Sequence, residues 1–209
     1  MNMPATLSHR RARVTRLLRL GTAALALGLP ASLPQPARAD AVTPPPVPSN
    51  IQVPAGNAPF LEGHAVGTQD YICLPSGSGY AWTFFAPQAT LFNDNDKQVI
   101  THFLSPNPFA SGTPSVTWQH SRDTSTVWGM AIASSSDPAF VAPGAIPWLL
   151  VQVVGAQDGP TGGHTLTATT FIQRLNTSGG VAPSTGCTLS ADVGKRALVP
   201  YTADYFFYK

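Results

Sequence analysis

Charge and helical periodicity are what this 209-residue sequence has least of. Charged residues make up only 11% of it, and Glu62 is the single glutamate. Beyond residue 40 no segment keeps a 3.6-residue apolar period over a useful length, which argues against long helices and coiled coils. The longest apolar run near the N-terminus, Leu20 to Leu29, is about half of what a membrane-spanning helix needs. Only two cysteines occur, Cys73 and Cys187, with no C-x-x-C spacing, so a thiolate metal site is disfavoured. No Gly-x-Ser-x-Gly elbow, His-Glu-x-x-His or phosphate loop is present. Gly77-Ser78-Gly79 lacks a third glycine and leads into strand-like sequence, so it is not a dinucleotide fingerprint.

What is present begins with an address. Arg10, Arg11, Arg13, Arg16 and Arg19 precede the apolar run, and Ala37-Arg38-Ala39 supplies small residues around a cleavage point. Residues 1–39 therefore read as a secretory signal peptide, with no transmembrane segment left after cleavage. The mature chain would keep Lys97, Arg122, Arg174, Lys195, Arg196 and Lys209 against all 10 acidic residues, so the whole-chain charge of +2 belongs to the signal. An acidic mature chain is a poor partner for nucleic acid or anionic membrane. An exported location, periplasmic or extracellular, favours a disulfide between Cys73 and Cys187.

Residues 40–59 carry Pro44, Pro45, Pro46, Pro48, Pro54 and Pro59 with little to bury, and are expected to form an extended leader. Residues 60–209 are expected to form a single β domain. Ala145 to Val154 is nearly unbroken aliphatic, so both faces of that strand should be covered. A Gly/Pro loop and the Thr-, Phe- and Ile-rich run from Thr165 to Leu175 complete a hairpin with it. Upstream, Tyr80, Trp82 and Phe84, then Val116, Trp118 and His120, then Thr126, Trp128, Met130 and Ile132 alternate with smaller residues. The aromatic stretch Pro200 to Tyr208 should pair inside a sheet. The fold class is all-β and helix-poor. An antiparallel β-sandwich of about eight or nine short strands comes first, and an eight-stranded β-barrel is the alternative.

Candidate chemistry is sparse. His102 and His120 lie on neighbouring strand candidates, and with Asp123 they would make an open metal site if the register allowed. Half-buried histidines with ordinary hydrogen bonds are the expectation. Asn93-Asp94-Asn95-Asp96 reads as a hairpin turn rather than a calcium loop. Trp118, flanked by Thr117 and Gln119 near a Pro/Gly loop, is the tryptophan expected to be exposed and available to a glycan. Trp128 and Trp148 are core residues. Arg174 is the only charge in its strand and requires a partner. Asp204 is assigned to it as a structural ion pair; the competing use of Arg174 is to anchor an anionic ligand.

Several landmarks together resemble a known family. They are Gly67-Thr68-Gln69-Asp70-Tyr71-Ile72-Cys73, Trp82-Thr83-Phe84, His102, Trp118-Gln119, Ala145-Ile146-Pro147-Trp148, Ile172-Gln173-Arg174-Leu175-Asn176-Thr177-Ser178-Gly179-Gly180 and the aromatic C-terminal stretch. In this order, from about Asn57 to Lys209, they are similar to domain-of-unknown-function family 3455, exported proteins of bacteria and fungi. The resemblance implies export and brings no catalytic residues with it. In place of the family's Gly-Pro-x-Trp turn this chain has Gly112-Thr113-Pro114-Ser115-Val116-Thr117-Trp118.

The function expected on these grounds is a non-catalytic binding or envelope-associated module for a small molecule or glycan, with no cofactor. The alternative is a secreted enzyme with a dispersed site, metal-dependent or carbohydrate-active.

Overall fold

The computed structural model describes residues 41–209; the segment read as a signal peptide lies outside the described residues. Eight strands follow in order: β1 (Pro59–Ser76), β2 (Gly79–Phe92), β3 (Gln98–Pro106), β4 (Pro114–His120), β5 (Thr126–Ser135), β6 (Trp148–Gln157), β7 (Phe171–Gly179) and β8 (Arg196–Tyr208). Each pairs antiparallel with the next, and β8 returns to pair with β1, so the sheet closes into a barrel. The all-β, helix-poor class holds in its barrel form. Among the described residues the only helical pieces are three 3-10 turns, and none is long and apolar enough to cross a membrane.

Closure depends on β1, whose 18 residues serve both neighbours. It runs from His64↔Phe92 to Ser76↔Gly79 against β2, and from Pro59↔Tyr208 to Ile72↔Arg196 against β8. Ala58 and Lys209 extend that seam by exchanging both backbone hydrogen bonds, at 2.8 and 3.0 Å. A register shift between Asp70 and Tyr71 adds the local twist that lets a long strand bend around the barrel. Gly67 admits the close approach of β2, since a Cβ there would lie 2.0 Å from the Gln88 carbonyl oxygen.

Inside, Leu91, Ile100, Val127, Ile172 and Phe207 pack one end solid. Leu166, fully buried, is part of the same plug. It comes from the run expected to be the second hairpin strand, but β7 begins only at Phe171. The threonines of Thr165 to Thr170 bond locally instead. Thr167 and Thr169 donate to the carbonyls of His164 and Leu166, and Thr165 donates its N–H and O–H to Asp123. Such side-chain bonding competes with ladder formation.

A second cluster sits outside the barrel. Trp148, Leu150, Leu175, Phe206 and Tyr208 form it with Ile51 and Val141, while Val42, Val47 and Val53 pack against it. Both faces of the early part of β6 are thus covered, as its aliphatic sequence requires. The outer cover is the proline-rich leader rather than a second sheet, which is why a barrel forms where a sandwich was the first expectation. The leader is fixed by side chains: Asn50 Nδ2 donates to the Ser134 carbonyl at 2.7 Å, and Gln173 Nε2 to the Ile51 carbonyl at 2.7 Å. Cys73 near the end of β1 is joined to Cys187 ahead of β8, across 114 residues.

Candidate functional site

Away from the packed end, the barrel encloses a cavity of about 840 Å³. Alternation along each strand places its lining. Ile100 of β3 is in the plug, so His102 and Leu104 two and four residues later face the cavity. The same count brings Val116 and Trp118 from β4, Leu149 and Val151 from β6, Arg174 from β7 and Tyr205 from β8. The lining extends from Trp118, 1% exposed, to Met130, 54% exposed, so the cavity reaches solvent. Gly129 makes room for the indole: a Cβ there would lie 2.5 Å from Val151 Cγ1 and 2.8 Å from Trp118 Cζ3.

The polar groups of this cavity gather near Tyr205. Its ring lies 5.9 Å from Trp118 and 5.3 Å from His102, which themselves stack at 4.2 Å. Arg174 is its cross-strand partner. The Tyr205 hydroxyl meets that of Tyr201 at 3.2 Å, and Gln69 lies beside Tyr201. Burial pushes the Tyr205 phenol up, and the nearby Arg174 charge offsets only part of that. His102 is held neutral because burial pulls it down to about 3. Its Nδ1–H donates to the Thr117 carbonyl at 2.9 Å, which leaves Nε2 as an acceptor.

Some donors here have no acceptor among the described residues. Gln69 Nε2, Trp118 Nε1 and Arg174 Nε are buried without a hydrogen-bond partner, and all three residues line the cavity. Arg174 donates from Nη2 to the Pro147 carbonyl at 2.8 Å, and among the described residues it has no salt bridge. Its assigned partner Asp204 lies elsewhere. The register pairs Arg174 with Tyr205 and Leu175 with Asp204, and adjacent residues of a strand face opposite sides. Asp204 instead accepts from His64 Nδ1 at 2.7 Å and Asn176 Nδ2 at 2.8 Å. The expected structural ion pair between Arg174 and Asp204 is not formed.

The metal proposal also comes apart. Asp123 accepts from the Ser125 N–H and O–H, from the Thr165 N–H and O–H, and from His120 Nδ1 at 2.9 Å. Burial would raise its pKa, but the bonds from Thr165 and Ser125 outweigh that and hold the carboxyl well below its usual range. Asp123 is therefore the anchor of the 165–170 loop, and His120 orients it. His102 stands apart, bonded to Thr117 and stacked on Trp118. Trp118 itself is interior rather than exposed, because it fills the space left by Gly129.

Among the described residues, one group of metal-ligand types does come close: Glu62, His64 and Asp204, with ligand atoms within 4.8 Å of one another. His64 is bonded at both nitrogens, to Asp204 through Nδ1 and to Asp94 through Nε2 at 2.9 Å. Those carboxylates, Asp204 first, push its pKa up to about 9. A doubly donating imidazolium has no lone pair for a metal. Asn93 closes the turn carrying Asp94, its Oδ1 accepting from the N–H groups of Asn95 and Lys97.

The sequence marks His102, Trp118 and Arg174 separately, and the barrel brings them to one cavity. Gln69, Tyr71 and Tyr205 join them without a motif to mark them, although Gln69, a polar residue on the inward face of β1, is a usable signal. The model of the family described as "Protein of unknown function (DUF3455)" matches residues 54–209, and the chain belongs to that family. No curated protein and no solved structure matches it.

Proposed function

We propose that this member of the family is a non-catalytic binding module, exported from the cell, whose barrel interior takes one small molecule. One observation carries the reading. Three buried donors, on Gln69, Trp118 and Arg174, lack partners and belong to the lining of a single cavity. Buried donors are nearly always satisfied, so a group of unsatisfied ones in one open cavity calls for an acceptor from outside. An eight-stranded barrel is wide enough for one small ligand, and about 840 Å³ lies in the usual range for such sites.

Catalysis has less support. Among the described residues no Asp or Glu lines the cavity, so the paired carboxylates of glycoside hydrolysis have no counterpart there. Asp123 is spent on its own loop. Export is supported by the arginine-rich, apolar, small-residue pattern of residues 1–39 and by the Cys73–Cys187 disulfide.

A panel of small organic ligands read by thermal shift tests the reading. At least one should raise the melting temperature of the wild type. Leu149→Phe, which narrows the cavity, should lose that shift while remaining folded. A panel that shifts nothing, or shifts both proteins equally, would refute an interior site.

A further inference from the structure

We infer that the ligand is an apolar molecule carrying a single anionic head group of carboxylate type, with the head at Arg174 and the body along the aliphatic wall. This rests on the binding role proposed above and adds the chemical class.

The charge pattern of the cavity is one-sided. Among the described residues Arg174 is the only Lys, Arg, Asp or Glu in the lining, and it is 9% exposed. A buried guanidinium is costly unless a negative group answers it, and among the described residues Arg174 meets the Pro147 carbonyl and the neutral Tyr205 hydroxyl but no carboxylate. Asp70, the nearest acid along the chain to Gln69, is engaged elsewhere, accepting from Thr68 and Gln88. The Arg174 charge reaches much of the lining, since it disfavours the protonated His102 and favours ionisation of Tyr71 and Tyr205. An incoming anion would be the first negative charge in that field.

The unsatisfied atoms specify the same sign. Every buried side-chain nitrogen or oxygen left without a partner among the described residues is an N–H donor. The three that line the cavity can each give a proton and none can accept one in that role, so a cation would leave them unmet, whereas a carboxylate meets them without bringing the donors of its own that a sugar hydroxyl carries. A carboxylate offers about four lone-pair sites and suits an arginine with its planar fork of donors. The rest of the wall supplies no further charge. Leu104, Val116, Ile146, Leu149 and Val151 call for an apolar body.

The experiment compares decanoate, 1-decanol and inorganic phosphate, titrated by calorimetry into the full chain and into its Arg174→Gln variant. Decanoate should bind the wild type at least tenfold more tightly than decanol. In Arg174→Gln that preference should fall to within threefold, with decanol affinity little changed. Phosphate should bind far more weakly than decanoate. Equal affinity for decanoate and decanol, or a preference that survives in Arg174→Gln, overturns the anionic head while leaving the binding role intact. Phosphate binding as tightly as decanoate overturns the apolar body. Binding of none of the three to folded wild type overturns this inference, while a hit of another class in the ligand panel would keep the binding role. If the variant does not fold, the wild-type comparison alone decides.

Discussion

Arg174 of β7 and Tyr205 of β8 face each other across the strand pair, so the guanidinium lies inside the barrel while Asp204, one residue away, lies outside. A structural ion pair and a ligand anchor predict opposite results for Arg174→Met. Removing one partner of a buried pair costs about 3–5 kcal/mol because the other charge is left uncompensated, whereas replacing a charge that has no ionic partner by an apolar side chain leaves no such charge behind. Arg174→Met should therefore unfold in urea within about 1 kcal/mol of wild type, or above it, in the absence of ligand. A large loss would restore a structural role for Arg174.

His64 ties β1 to β8 through Asp204 and to the β2–β3 turn through Asp94. Its folded pKa, raised to about 9, lies above the ordinary histidine value. The stability it contributes is therefore fully present below about pH 6.5 and is lost as pH rises through about 9. Its side chain is 41% exposed, so solvent screening limits the contribution to under about 1 kcal/mol. Thermal unfolding of wild type and His64→Gln should differ at pH 6 and converge above pH 9. A gap that widens with pH would contradict the pairing.

The Cys73–Cys187 bridge closes a loop of 114 residues. Loop-closure entropy assigns it about 4–5 kcal/mol, and the double variant Cys73→Ser/Cys187→Ser should lose most of that in chemical denaturation. Alkylation under denaturing conditions without reductant should add no mass to the wild type. Two modified thiols would remove the bridge.

Ile51 is fully buried against the outer face of β6, β7 and β8, and its carbonyl accepts from Gln173. Ile51→Ala should cost about 2–4 kcal/mol in urea unfolding, as for a core residue. A cost under about 0.5 kcal/mol, ordinary for surface positions, would show that the leader contributes nothing.

The strands themselves were legible because alternation is local: Val116, Trp118 and His120 sit on one face whatever their neighbours do. Cysteine pairing was legible because only one pairing exists. Closure was not, since the apolar outer face of Trp148 and Leu150 reads the same under a second sheet or under a leader. Trp118 misled through its flanks; Thr117 is buried, and its hydroxyl donates to the Ser115 carbonyl and meets that of Ser105 within the barrel wall. The partner of Arg174 turned on one residue of register, which separates Tyr205 inside from Asp204 outside. That three donors lack partners in a common cavity is a property of space, and no spacing in the chain encodes it.

The Ala58–Lys209 junction has a temporal side. Its two halves are made at opposite ends of domain synthesis, so β1 emerges first and must wait, edge open, for a mate translated last. Pairing of such high sequence separation is slow. Until β8 arrives, β1 keeps one edge of unpaired backbone groups, the kind of edge to which another chain can add.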